Sequence, residues 1–147
     1  MNATTSFKEI KVWQKAHQFV VNVYKLTRRF PDFEKYGLSS QFQRAAVSIP
    51  ANFAEGYKKL STKDKLHFMN IAQGSLEECR YYVLLSKDLE YISIEAFDYM
   101  NNSIEEVSKL LNAYCKGMKE NNFSNQIWLG LRKAVLCHNI WLNSLTP

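Results

Sequence analysis

The stretch Gln43-Arg44-Ala45-Ala46-Val47-Ser48-Ile49-Pro50-Ala51-Asn52-Phe53-Ala54-Glu55-Gly56, QRAAVSIPANFAEG, decides the fold. On a helix, Gln41, Arg44, Ser48, Asn52 and Glu55 step by three or four residues and share one face. Beside them run Phe42, Ala45, Ile49 and Phe53, while Ala46, Ala51, Ala54 and Gly56 keep the helix thin enough for a close neighbour. Pro50 removes one intrahelical hydrogen bond, and a local kink is expected there. No nucleophile or titrating base accompanies the polar line, so it specifies packing rather than catalysis. A buried guanidinium needs a partner. An ion pair of Arg44 with Glu55 or Glu78 is therefore expected, within a polar network of Arg44, Ser48, Asn52, Glu55 and Glu78.

Outward from this stretch the helical spacing continues. From Phe7 to Phe30, one apolar line is Val12, Ala16, Phe19, Val23, Leu26, Phe30 and a second is Ile10, Trp13, His17, Val20, Tyr24, Thr27. Two adjacent lines make a stripe wider than one helix–helix seam needs, which predicts burial against further copies of the chain. Pro31 stops this helix, and Gly37 closes the loop after it. The second helix is predicted from Ser39 or Ser40 to about Lys59. Ser61 with Asp64 forms a capping-box variant that starts the third. This third helix runs to about Glu90, with a buried line Ile71, Ser75, Glu78, Tyr82, Leu85, Leu89. The fourth begins near Ser93 and carries Phe97, Met100, Ile104, Val107, Leu111, Tyr114 and Met118. Four long helices with short loops predict an all-α, antiparallel up-down-up-down four-helix bundle over residues 1–120. After Lys119-Glu120-Asn121-Asn122 the pattern breaks, and residues 121–147 are a C-terminal extension. Ile127 to Leu136 could form a short helix there, with Trp128, Leu131 and Val135 on one side. Two readings of this tail, which also exposes Trp141 and Leu142, stay open: a poorly packed extension, or an arm docking on the bundle or a neighbouring subunit.

At 147 residues and 46% hydrophobic content the chain is long enough for one domain with a core. No signal-peptide pattern opens it, and no uncharged apolar run reaches membrane-span length, so a cytoplasmic protein is expected with no membrane partner. Cys79, Cys115 and Cys137 are far apart with no CxxC spacing, as for reduced thiols. His17, His67 and His138 show no ligand spacing, so no metal site is predicted. No glycine-rich phosphate loop is present. The expectation is a protein with no enzymatic activity and no cofactor. His17, on an apolar line, is expected as a core or interface histidine.

The net charge of +5 is unevenly spread, with six basic groups and one acid in residues 1–30. Lys8, Lys11, Lys15, Gln18, Asn22, Lys25 and Arg29 step along one face of the first helix without an acid. A solvated helix face normally mixes signs for i,i+4 pairing, whereas a polyanion partner selects a single sign. The candidate nucleic-acid-binding residues are Lys8, Lys11, Lys15, Lys25 and Arg29. This face holds no aromatic residue, so phosphate contact without base stacking is expected.

The stretches FKEIKVWQKA, FPDFEKYGLSSQFQRAAVSIPANFAEGY and FMNIAQGSLEECRYY resemble the bacterial four-helix-bundle family of 23S ribosomal RNA intervening-sequence proteins, over about residues 6–118. That family is related to the accessory variability protein of diversity-generating retroelements. The resemblance implies a barrel-like homopentamer with a positive surface and no known enzymatic activity. The retroelement relatives bind nucleic acid and a reverse transcriptase. The expected function is thus an oligomeric bundle binding nucleic acid, structured RNA rather than DNA. The alternative is a protein-interaction scaffold, for example an accessory subunit of a reverse transcriptase.

Overall fold

The computed structural model describes residues 6–143, with the side chains of residues 6–127 and of Leu129. Among the described residues every regular element is helical: α1 (Lys11–Thr27), α2 (Leu38–Lys58), α3 (Thr62–Asp88) and α4 (Ile94–Asn143), with single 3-10 turns at Phe7–Glu9 and Asp32–Glu34. The chain divides into two compact units, one through Cys115 and one from Lys116 onward.

Each boundary of the first unit has a local cause. The first helix starts later than the sequence pattern suggests. Ile10 is extended (φ −85°, ψ 125°) and separates the Phe7–Glu9 turn from α1. The turn is held by Gln14 Nε2 donating to the Lys8 carbonyl at 2.9 Å. It seats the Phe7 ring 5.1 Å from Trp13 and 6.5 Å from Tyr57. Apolar burial across the ends of α1 and α2 thus outweighs one more helical turn. At the other end, Arg29 and Phe30 close 3-10 hydrogen bonds to Leu26 and Thr27. Pro31 steers the residue before it out of the α region. The N-cap position of α2 is Gly37, which has no side chain to offer, and Glu34 substitutes for it. Its Oε2 accepts from Leu38 N at 2.8 Å, while its Oε1 accepts from the Tyr91 hydroxyl at 3.0 Å. One carboxylate therefore caps a helix and ties that corner to the α3–α4 turn.

Ser61 caps α3, accepting from Asp64 N at 3.0 Å. The C-terminus of α3 is a Schellman motif, with Tyr91 N donating to Ser86 O and Glu90 N to Lys87 O, both at 2.9 Å. Glu90 occupies the left-handed position (φ 58°) usually given to glycine.

Contacts along successive helices fall in reverse order, as antiparallel neighbours require. Gln43 meets Thr27, and Tyr57 meets Phe7. Tyr82 packs on Phe42, Ser75 bonds Ser48, and Lys65 reaches Tyr57 O. Lys87 lies over Phe97, Arg80 pairs with Glu105, and Gln73 reaches Ser108. The fourth helix closes on the first through Lys15–Glu106 and Asn22–Tyr99. The core is Val12, Ala16, Phe19 and Val23 of α1, Phe42, Ile49 and Phe53 of α2, Met69, Leu76, Cys79 and Val83 of α3, and Met100, Ile104, Val107 and Leu111 of α4. Burial pushes the Cys79 thiol far above its ordinary pKa, so it is an inert core group.

The packing of α3 differs from expectation. The buried line of α3 is Met69, Ala72, Leu76, Cys79, Val83 and Ser86, offset from the one anticipated. Ser75 is buried, but Ile71, Glu78 and Leu89 are exposed. The small residues Ala72 and Ser86 on the buried line, and Ser75 beside it, allow close packing against the neighbouring helices, whereas Ile71, Glu78 and Leu89 stay outside. Backbone from Lys116 to Asn143 is helical, within the span of α4. Within that unit, Lys116 and Glu120 form an i,i+4 pair, and Phe123, Ile127 and Leu129 are exposed. The side chains of Trp128, Leu131, Val135, Trp141 and Leu142 lie outside the described residues.

Two glycines give opposite expectations from one substitution. A Cβ on Gly56 would sit 2.6 Å from Met69 Cε and 2.8 Å from Phe68 Cβ, whereas one on Gly74 would meet nothing within 4 Å. Gly56→Ala gains about 1 kcal/mol of helix propensity but loses about 1–3 kcal/mol to overpacking, because Phe68 Cβ cannot swing away. Gly74→Ala keeps the propensity gain of about 0.8–1 kcal/mol. Urea unfolding should show the first variant destabilised and the second stabilised.

Candidate nucleic-acid interface

The basic residues of α1 fall into separate settings. Lys8 lies on the Phe7–Glu9 turn, off the helix that carries Lys11, Lys15 and Lys25, and Arg28 and Arg29 follow its C-terminal end. Lys15 Nζ is 2.9 Å from Glu106 Oε1, with both side chains nearly half exposed (42% and 45%). The acid that α1 lacks is thus supplied by α4, and Lys15 is a paired residue at the α1–α4 seam rather than a free cation. Lys8, Lys11, Lys25, Arg28 and Arg29 are exposed and make no ion pair among the described residues. Arg28, at the C-cap of α1, was missed by reading one helical line; the charge run Arg28-Arg29 is its signal in the sequence.

The polar members of the stripe also turn toward α4. Gln18 Nε2 donates to Asn22 Oδ1 at 3.2 Å, and Asn22 Nδ2 donates to the Tyr99 hydroxyl at 3.1 Å. Tyr99 stands 57% exposed. Asn22 and Tyr99 line two adjoining hollows. One, of about 180 Å³, is walled by Asn22, Lys25, Leu26, Arg29, Ala96, Tyr99 and Met100 and by no carboxylate. The other, of about 300 Å³, contains the Lys15–Glu106 pair. The expectation of a face without an aromatic holds for α1 alone, since α4 supplies one.

The polar line of α2 is partly a network. Ser75 Oγ donates to Ser48 Oγ at 2.8 Å, and Asn52 Nδ2 donates to Ser48 O at 2.8 Å and to Ser48 Oγ at 2.9 Å. The expected buried ion pair is absent among the described residues. Arg44 is exposed beside Tyr24, Gln43 and Val47. Glu55 pairs with Lys59 one turn on, at 3.2 Å. Glu78 is exposed and accepts from the Tyr82 hydroxyl at 2.7 Å. The three charges sit at the solvent edge of α2 and α3, where water can hydrate them, and none is buried against another. Burial and then Glu78 push the Tyr82 phenol up to about 12. Among the described residues no cluster of three metal-ligating side chains exists, and no helix is long and apolar enough to cross a membrane.

The outer side of α1 and α2 is apolar. Phe7, Trp13, His17, Val20, Val47, Pro50, Ala51 and Ala54 line a groove there. His17 is exposed rather than buried in the core, its ring stacked on Trp13 at 5.1 Å and 4°. Tyr24 (40%) and Val47 (41%) extend the exposed apolar surface.

Comparison with known proteins comes to the same part of the chain. The family model described as 23S rRNA-intervening sequence protein matches residues 8–113. A crystal structure from Bacteroides thetaiotaomicron, of a protein of unknown function from the S23 ribosomal protein family, is similar with a TM-score of 0.67 and 30% identity. That similarity covers 71% of this chain and 98% of the other. No curated protein matches.

The polar network and the peripheral charges should separate on substitution. Ser48→Ala removes the acceptor of the buried Ser75 hydroxyl and should cost about 1–2 kcal/mol. Glu55→Ala breaks only an exposed i,i+4 pair and should cost no more than about 0.5 kcal/mol. Thermal melting of the two variants checks this order, and the reverse order would restore weight to an ion pair.

Proposed function

Since the chain belongs to the 23S rRNA-intervening sequence protein family, we propose that it is a non-enzymatic, oligomeric, cytoplasmic bundle that binds structured RNA through the basic side of α1. One observation carries this reading: Lys8, Lys11, Lys25, Arg28 and Arg29 are exposed and form no ion pair among the described residues. A helix C-terminus favours nearby cations by about 0.3–1 kcal/mol each, which accounts for one or two in the last turn. It does not account for Lys8 and Lys11 at the opposite end. A phosphate backbone would be served by both ends.

RNA binding should weaken as salt rises, with a slope of roughly 0.7 to 0.9 in log K per phosphate neutralised. Changing Lys11, Lys25, Arg28 and Arg29 together to Gln should abolish binding without unfolding, since none of the four is buried. Changing Lys15 alone should matter less, because Glu106 already neutralises it. Fluorescence anisotropy over a salt series reads both. Unchanged affinity and slope in the quadruple variant would leave the cations as a solvated face and move weight to the scaffold reading.

The apolar groove of α1 and α2 favours self-association. Its occupant in this reading is a second copy of the chain, for which Trp13, Val20, Tyr24 and Val47 offer a contiguous surface. A closed ring, as in a homopentamer, needs such a heterologous contact repeated around an axis. Light scattering should give a multiple of the 17.2 kDa chain mass, and Val47→Glu should reduce it while helicity persists. A wild-type monomer at micromolar concentration would end the oligomer reading.

A further inference from the structure

The carboxylate-free hollow between α1 and α4 has a composition that a plain electrostatic face does not require. It places the exposed ring of Tyr99 in one small recess with Lys25 and Arg29, and Leu26, Ala96 and Met100 give it an apolar floor. At about 180 Å³ it is smaller than the roughly 300–1,000 Å³ of sites that enclose whole small-molecule ligands. An open recess of this size suits one planar ring whose attached groups stay outside. We propose that it receives a single unpaired nucleotide of an RNA loop, with the base against Tyr99 and the adjoining phosphate on Lys25 and Arg29. This rests on the RNA-binding reading above and gives that surface a preference for single-stranded over paired segments.

Three features support the assignment. Tyr99 is held at its hydroxyl end by Asn22, which is itself held by Gln18, so the exposed ring is positioned before any ligand arrives. In that bond the Tyr99 oxygen accepts, which leaves its own proton to donate to a base or ribose. The polarity of the seam is also set. Lys25 and Arg29 have no ion-pair partner among the described residues, while the neighbouring hollow holds Glu106 against Lys15. A phosphate is therefore drawn to the Lys25–Arg29 end, because the other end presents a cation already neutralised by its carboxylate. Finally, bases in a duplex keep their faces stacked on one another, so only an unpaired base can offer its face to Tyr99. A stacking side chain is tolerant of sequence because every base has a π-face.

The test compares a short fluorescein-labelled oligoadenylate with a duplex RNA of equal phosphate number, at one salt concentration, using wild-type protein, Tyr99→Ala, Tyr99→Phe and the double variant Lys25→Gln/Arg29→Gln. Tyr99→Ala should weaken oligoadenylate binding about tenfold or more and leave duplex binding within twofold. Tyr99→Phe, which keeps the ring, should retain most of the single-strand affinity. The double variant should weaken both ligands. If Tyr99→Ala binds oligoadenylate as wild type does while the double variant loses it, the nucleotide pocket is wrong and the electrostatic reading survives. If wild-type protein binds neither RNA, both fall together. Circular dichroism of Tyr99→Ala should match wild type, since the ring is largely outside the core; a shared loss of duplex binding and helicity would overturn the pocket as well.

Discussion

Everything in the bundle depends on how closely α2 approaches α3. The approach is set by Gly56, where no side chain fits between the helix and Phe68 and Met69, and by the Ser75–Ser48 hydrogen bond two turns away. Such proximity gains dispersion contacts along the whole seam, but it also traps polar groups that must be satisfied. The Ser48, Asn52 and Ser75 side chains satisfy one another and the Ser48 carbonyl. Between these two points Ile49 and Phe53 are driven into the interior, where Phe53 meets Tyr114 of α4 at 5.0 Å and Phe42 meets Phe19 of α1 at 6.5 Å. The positions of α1 and α4 thus follow from a seam in which neither takes part.

The class of fold was legible because the apolar positions of α1, α2 and α4 repeat at helical spacing and Pro31, Gly37 and Ser61 punctuate them. The third helix was harder, because its buried line includes Ala72 and Ser86 as well as Met69, Leu76 and Val83. A close seam selects small residues, and small residues carry little hydropathy, so the neighbouring line of Ile71, Tyr82 and Leu89 looked more apolar than the true interior. Glu78 lies on that outer line and is exposed, so Arg44 and Glu55 at the edge of α2 find no buried partner in it.

The start of α1 shows a different limit. Residues 7–10 have good helical spacing, yet Phe7 gains more by folding back on Trp13 and Tyr57 than by adding a turn. Local periodicity has no information about a tyrosine fifty residues away. Lys8 consequently leaves the helical stripe without any change in its own chemistry.

The same reasoning governs the candidate interface, where a charge pattern on one helix acquires meaning only beside its neighbour. Alone, α1 presents cations and amides in one line. Beside α4, Glu106 cancels Lys15, and Tyr99 engages Asn22. An exposed pair such as Lys15–Glu106 contributes about 0–1 kcal/mol, so a polyanion could take Lys15 at little energetic cost. Glu106 would then stand unneutralised against the phosphates, and the exchange would gain little. In the proposed RNA-binding reading, the binding energy would therefore concentrate where α4 contributes no lining carboxylate to the hollow, at Lys25 and Arg29. Electrostatic attraction and aromatic exposure meet at that end of the seam because α4 offers Ala96 and Tyr99 there and Glu106 two turns further on.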